Sequence, residues 1–349
     1  MENDLVELEG HQLGANKKAL LIAEISANHD KSITQALKLV DIAADTGWDC
    51  LKLQTYTADS LTMQSKHESM KVDPIWGHEN LYELYAAAAM PLEFHEPLFA
   101  KARDRGLLPF TSIYDPRDLD FIEGLGCSLY KIASFEMNYG DLLAAVAQTG
   151  KPIVLSTGMA TLNEIEHSLE ILDNNRSGEV ILLHCCSSYP APLESINLNA
   201  MTTIGQTFGR KTGFSDHTLG SIGALTAISM GAVAVEKHFT NDPSRKGPDH
   251  RFSATPEIMM EIAQGAKNIC TLKGSFQKET TDVEKLNKKS GRRSAFALRD
   301  LPVGSILTAE DFRFIRPGVG IPPTNRQAII GKQLKRAKLA GEPILFEDF

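Results

Sequence analysis

The chain has 349 residues, 42% hydrophobic and 23% charged, enough apolar side chain for a large core and too much for global disorder. Its net charge of −8 argues against nonspecific nucleic-acid binding, and no apolar run approaches the roughly 18 residues of a membrane span. The opening MENDLVELEG lacks the basic-then-apolar pattern of a secretory signal, and Cys50, Cys127, Cys185, Cys186 and Cys270 form no CxxC pair, so they read as reduced core thiols of a cytoplasmic protein without a structural zinc cluster.

Short β-branched or apolar runs alternate with longer amphipathic stretches over the first 280 residues. The runs predict strands at 20–26, 50–56, 108–113, 129–134, 152–158, 180–187, 211–216 and 232–240. Helical periodicity follows each, at 32–46, 91–105, 116–125, 139–149, 162–174, 198–208, 221–230 and 256–272. Gly47, Gly106, Gly150 and Gly231 stand where helices should stop before the next strand. Eight βα units of this length predict a (β/α)8 barrel over residues 1–280. The one long insertion, 57–90, follows the second strand, on the side where barrels carry substrate contacts.

Residues 281–293 are polar and read as a linker. The remainder, 294–349, has Pro and Gly turns and little helical periodicity, which predicts a small, mostly β second domain. From Lys285 onward the charge is +7, against −15 for the rest. The opposite signs fit either two solvated surfaces or a tail that docks on an acidic body.

Barrel enzymes carry their chemistry at the C-terminal ends of strands. Those ends here hold Glu24 and Ser26, Lys52 and Gln54, Thr111 and Ser112, Lys131 and Ser134, Ser156 and Thr157, Ser187 and Tyr189, Ser215 with Asp216 and His217, and Glu236 with Lys237 and His238. Lys52 and Lys131 alternate with apolar neighbours, so both ammonium groups should point into the barrel. Burying them unpaired is costly. Either an anionic substrate is bound there, or the lysines form internal ion pairs with Glu24 and Glu236. His217 and His238 end adjacent strands, each with an acidic neighbour, which suits a divalent metal with positions left for water and substrate. His29 is similarly placed but a weaker candidate, and His184 reads as structural. Asp249, in GPDHRFS, sits on a loop that could present a carboxylate to sugar hydroxyls.

The segments IAEISANHD, LKLQTY, YKIASFE, LSTGMAT, GFSDHTLG, VEKHFT and GPDHRFS occur in the order found in sialic acid synthases, and the chain resembles that family over nearly its whole length. The stretch RRSAFALRDLPVGSILTAEDFRFIRPG resembles the family's antifreeze-like (SAF) domain. QTYTADSLT and KIASFE look most like the pseudaminic branch, whereas GPDH is common in the neuraminic and legionaminic branches. The resemblance implies condensation of phosphoenolpyruvate with an open-chain acetamido-sugar, giving a nine-carbon 2-keto acid and phosphate. It also implies a divalent ion, Mn²⁺ or Mg²⁺, and a domain-swapped homodimer.

Carried over residue by residue, the resemblance makes His217 and His238 metal ligands, and Glu24 and Glu236 proton-handling groups. Lys52, Thr111, Lys131, Ser134, Ser156, Ser187 and Ser215 would hold phosphoenolpyruvate. Gln54, Tyr189, Asp249 and Arg316 would face the sugar, with Arg316 arriving from the partner's small domain. Ser187 and Trp76 stand where the neuraminic branch has Asn. Trp76, Ile113 and Phe135 are candidates for the apolar patch that a deoxy sugar would need. Two competing readings are a Schiff-base aldolase with Lys131 as nucleophile and a glycan-binding protein. Neither explains two strand-end lysines together with two strand-end histidines.

Overall fold

The structure is a computed structural model and describes residues 6–8, 10–14, 17–73 and 78–349. The chain divides into two compact units, Met1–Gly274 and Ser275–Phe349.

The first unit opens with an antiparallel hairpin, β1 (Val6–Leu8) and β2 (His11–Leu13), which the periodicity does not signal. Eight parallel strands then close into a barrel: β3 (Leu20–Glu24), β4 (Cys50–Thr55), β5 (Leu108–Ile113), β6 (Tyr130–Ile132), β7 (Ile153–Ser156), β8 (Val180–Cys185), β9 (Lys211–Asp216) and β10 (Ala234–His238). Each falls within a predicted strand. Parallel strands are covered on both faces, so they read as continuous apolar runs; β3, LLIAE, and β7, IVLS, are buried throughout. β10 pairs with β3 in register, His238 opposite Glu24, and this closes the ring.

The surrounding helices are α1 (Ile33–Asp45), α4 (His95–Asp104), α5 (Leu119–Gly124), α6 (Gly140–Ala147), α7 (Leu162–Asn174), α8 (Asn199–Phe208), α9 (Ile222–Ser229) and α10 (Pro256–Lys273). Local chemistry fixes their ends. Ser32 caps α1 by accepting from Gln35 N–H, and Thr161 and Glu164 form a capping box on α7. Gly47 and Gly150, two of the predicted stops, take φ of +79° and +67°, a conformation that side chains disfavour. The insertion after β4 contains α2 (Ala58–Leu61) and α3 (Leu81–Ala88).

The second unit has its own core, including Ala295, Leu301, Leu307, Phe312 and Ile344. Its strands β11 (Ser294–Ala297) and β12 (Phe312–Ile315) pair antiparallel, and α12 (Arg326–Ile329) is a single turn. The segment expected as a linker carries a helix, α11 (Asp282–Gly291), with Thr281 and Glu284 as its capping box and a Lys285–Asp282 ion pair at 2.6 Å. Its charges reflect a helix with no buried residue. Among the described residues no helix is long and apolar enough to cross a membrane.

Candidate active site

A cavity of about 300 Å³ opens at the C-terminal ends of the barrel strands. The parallel register brings its charged groups together. Glu24 lies opposite Lys52 between β3 and β4, Ser112 opposite Lys131 between β5 and β6, and Ser215 opposite Glu236 between β9 and β10.

Lys52 ion-pairs with Glu24 Oε2 and, at 2.8 Å, with Glu236 Oε1. Lys131 Nζ is 3.9 Å from the same Glu236 oxygen and donates to Ile132 O at 3.1 Å. Both lysines are buried, at 3% and 1% exposure. The internal ion-pair reading is the one realised, Lys52 with both carboxylates and Lys131 with Glu236, and both lysines line the one cavity. Burial lowers the Lys52 amine to about 7 against the pull of Glu236. Burial would raise the Glu236 carboxyl, but Lys131 and Lys52 outweigh it and hold the group below the usual carboxylate range. Ser215 Oγ donates to Glu236 Oε1 at 3.3 Å, and Glu236 Oε2 has no hydrogen-bond partner.

A cluster of small polar groups lies at the ends of β6, β7 and β8. Gly158 N–H donates to Ser134 Oγ at 3.0 Å, and Ser134 Oγ is 3.1 Å from Cys185 Sγ. A Cβ on Gly158 would fall on Ser187 Oγ, 2.6 Å from Cys185 Sγ and 2.8 Å from Ser134 Oγ. Ser156 Oγ is buried and has no hydrogen-bond partner among the described residues.

The two imidazoles stand at the edge of this group, ring centroids 5.5 Å apart. His217 Nδ1 is 2.8 Å from Cys186 O. A carbonyl only accepts, so Nδ1 carries the proton and Nε2 keeps its lone pair. His238 Nδ1 is buried without a hydrogen-bond partner among the described residues. Burial pushes both imidazoles down, His238 the further, so both are held neutral. Neutral imidazoles with uncommitted nitrogens are the donor set that a divalent cation requires. Among the described residues no group of three or more His, Cys, Asp or Glu is placed to hold a metal ion; the fit to a cation rests on the orphaned His238 Nδ1 and the free lone pair of His217.

Tyr189 packs 4.3 Å from the His217 ring and 5.3 Å from Phe252. Asp249 accepts from Ser26 Oγ and, at 3.1 Å, from Ala27 N–H. Burial raises its carboxyl. Its loop is held by His250, which contacts Thr240 Oγ1 at 2.7 Å and Asp30 Oδ1 at 2.8 Å.

The cavity thus brings together Glu24, Lys52, Gln54, Lys131, Ser134, Ser156, Tyr189, Ser215, His217, Glu236, His238 and Asp249. Thr111 is a correction. Its hydroxyl bonds Thr55 Oγ1 at 2.8 Å, and Thr55 in turn bonds His95 of α4, so Thr111 faces the helices while Ser112 faces the cavity. Side chains alternate along a strand, and Ser112 pairs in register with the inward-facing residues Gln54 and Lys131. Ser187 sits beside Gly158, its Oγ buried, and is not among the residues lining the cavity. Ile113 is fully buried away from the cavity, whereas Phe135 lines it. Trp76 lies outside the described residues, and Arg316 belongs to the second unit. His29 is buried, its Nδ1 accepting from Lys31 N–H at 3.0 Å, and lies outside this wall. His184 is tied to Ile196 O at 2.6 Å.

Sequence reasoning missed Cys185, Tyr56, Tyr85, Tyr114 and Glu136 in the wall. Cys185 lies opposite the inward-facing Ser215 in the β8–β9 register, and that register is the signal that places it in the wall. The inward turn of Glu136 has no periodic signal, because it lies on a short 3₁₀ segment, Ser134–Glu136.

The NeuB family profile matches residues 39–278, and the SAF domain profile matches residues 292–349. The chain belongs to the NeuB family. It is 34% identical over 329 residues to the pseudaminic acid synthase of Helicobacter pylori, covering 94% of this chain and 97% of that protein. It is 35% identical to the N,N'-diacetyllegionaminic acid synthase of Legionella pneumophila, covering 96% and 95%. The solved N-acetylneuraminic acid synthetase of Leptospira borgpetersenii superposes with a TM-score of 0.73 at 28% identity, covering 81% of this chain and 95% of that one. As a NeuB protein the chain is a nonulosonic acid synthase, a carbon–carbon bond-forming transferase similar to pseudaminic acid synthases.

Proposed function

We propose that this NeuB protein condenses phosphoenolpyruvate with the open-chain form of a 2,4-diacetamido-2,4,6-trideoxy-altrose, giving pseudaminic acid and phosphate. One observation carries the reading: two buried ammonium groups, Lys52 and Lys131, share one cavity with the hydroxyl of Ser156, which has no hydrogen-bond partner among the described residues. Such donors suit a doubly anionic substrate.

Lys52, Lys131, Ser134, Ser156 and Ser215 hold phosphoenolpyruvate, with Ser187 beside Gly158. Gln54, Tyr189 and Asp249 hold the sugar so that its aldehyde carbon meets C3 of the enol. His217 and His238 would hold a divalent cation, Mn²⁺ or Mg²⁺, whose chemistry there is to polarise the aldehyde oxygen. As C3 attacks, the aldehyde oxygen takes up a proton and becomes a hydroxyl, while positive charge builds at C2. Glu24 or Glu236 takes a proton from the water that adds to C2. The tetrahedral carbon then expels phosphate with cleavage of its C–O bond, and its hydroxyl loses a proton to give the 2-keto group. The lysines stabilise the leaving phosphate throughout.

The pseudaminic assignment is supported by the relatives from Helicobacter pylori and Campylobacter jejuni that carry that name. The legionaminic reading is favoured by GPDH and by the Legionella relative. The reading includes a cytoplasmic enzyme and a domain-swapped homodimer in which Arg316 of one protomer serves the acceptor site of the other. The acidic first part and basic end of the chain support the dimer.

The test is phosphate release from phosphoenolpyruvate with Mn²⁺, run against the altrose-type and mannose-type diacetamido sugars and N-acetylmannosamine, with a metal-free control. Release with the altrose-type sugar alone supports the pseudaminic reading. Preference for another sugar moves the enzyme to the legionaminic or neuraminic branch. Release with none overturns the reading.

A further inference from the structure

Ser26 follows β3 with φ of +51°, the left-handed region that a side chain enters only at a cost. It is 4% exposed. Glycine would adopt this backbone freely, and its N–H would still reach Glu24 Oε1, the 3.1 Å bond that Ser26 makes. The hydroxyl is therefore the part of Ser26 that calls for an explanation. Backbone strain of this kind persists where surrounding contacts impose it, and it concentrates at functional sites.

The hydroxyl joins two polar groups of the cavity. Ser26 Oγ donates to Asp249 Oδ2 and accepts from Gln54 Nε2 at 3.3 Å. Ala27 N–H takes the same Asp249 oxygen at 3.1 Å. Among the described residues Asp249 Oδ1 takes neither of these bonds, and the residue lines the cavity. The Gln54 amide, having given one N–H to Ser26, keeps its second N–H and its carbonyl for a ligand.

We propose that Ser26 is a specificity-determining positioning residue, fixing the Asp249 carboxylate and the Gln54 amide as one unit that reads neighbouring polar groups of the acceptor sugar. The inference rests on the synthase reading above. It concerns the acceptor alone, because Ser26 makes no hydrogen bond to Lys52, Lys131 or the Ser134–Gly158 cluster among the described residues.

The experiment compares wild type, Ser26→Gly, Ser26→Ala, Asp249→Asn and the double variant Ser26→Gly/Asp249→Asn, using the acceptor sugars named above, with each substrate varied in turn at saturation of the other. Ser26→Gly should raise the acceptor KM roughly tenfold and compress the preference among acceptors. The KM for phosphoenolpyruvate should stay within about twofold, and the melting temperature should not fall, because strain is relieved. The effect of Ser26→Gly should shrink in the Asp249→Asn background, since Ser26 acts through Asp249. An unchanged acceptor KM, equal rises in both KM values, or full additivity with Asp249→Asn overturns the proposal while leaving the synthase intact. A wild-type enzyme that releases no phosphate with any acceptor overturns the synthase reading, and this proposal with it.

Discussion

Lys52 Nζ sits 2.8 Å from Glu236 Oε1 while also paired with Glu24, so one buried ammonium joins two carboxylates contributed by neighbouring elements of the barrel. Removing one member of such a set leaves uncompensated charge in a low-dielectric interior. Lys52→Met should cost about 3–5 kcal/mol of stability, read by urea denaturation. It should also lower kcat/KM by roughly a hundred- to a thousandfold, as losing a preorganised electrostatic contact does. A variant of near wild-type stability and activity would show that the ion pair is dispensable to both.

Glu136 gives a pH signature. Burial raises its carboxyl from an ordinary 4.5 to about 7, against the pull of Lys131. The folded chain therefore favours the protonated form. Its stabilising contribution is complete below about 4.5, shrinks as pH rises, and is gone above about 7. Glu136→Gln should thus match wild type in unfolding free energy, read by urea denaturation, near pH 4.5 and exceed it at pH 8, by on the order of 3 kcal/mol. A difference that does not vary with pH would show that Glu136 ionises normally.

The barrel was legible because each strand is a short apolar run ended by a glycine or polar cluster. Its site was legible because the lysines interrupt those runs. Thr111 shows where that legibility stops. Two adjacent hydroxyls end β5, and only the register opposite Gln54 and Lys131 tells which faces inward. Glu136 escaped, and Ser26 was read only as the polar end of a strand, for another reason. Their positions depend on a 3₁₀ turn and on a left-handed residue, neither of which leaves a periodic trace. The helix Asp282–Gly291 was masked by its own charges, which resemble those of a linker.

Behind the two imidazoles, Lys237 Nζ bonds Asp216 Oδ2 at 2.8 Å and Thr218 O at 2.6 Å, with both side chains buried. This pair ties the end of β9 to β10, and hence fixes His217 relative to His238. Under the cation site proposed above, Lys237→Met should weaken Mn²⁺ binding by roughly 10–100-fold, the usual scale for losing a group that orients metal ligands. The measurement is Mn²⁺ titration followed by electron paramagnetic resonance on protein still folded by circular dichroism. Unchanged affinity in a folded variant would limit the pair to a structural part.

Gly158 is set by space and not by conformation, for no positive φ demands it. A Cβ there would press on Ser187 Oγ, Cys185 Sγ and Ser134 Oγ at once. The hydroxyls can escape only by rotating, and then Gly158 N–H loses its 3.0 Å acceptor on Ser134. Gly158→Ala should therefore raise the KM for phosphoenolpyruvate at least roughly tenfold. The acceptor KM should stay nearly constant, because Asp249 and Gln54 are held elsewhere, by Ser26. Cys185→Ala in the same chain removes one of the three clashing atoms and should recover part of the loss. Steady-state kinetics with each substrate varied in turn separates the outcomes. A rise confined to the acceptor would mean that the Ser134–Ser187 cluster faces the sugar and that the phosphoenolpyruvate site must be reassigned toward Lys52 and Ser215.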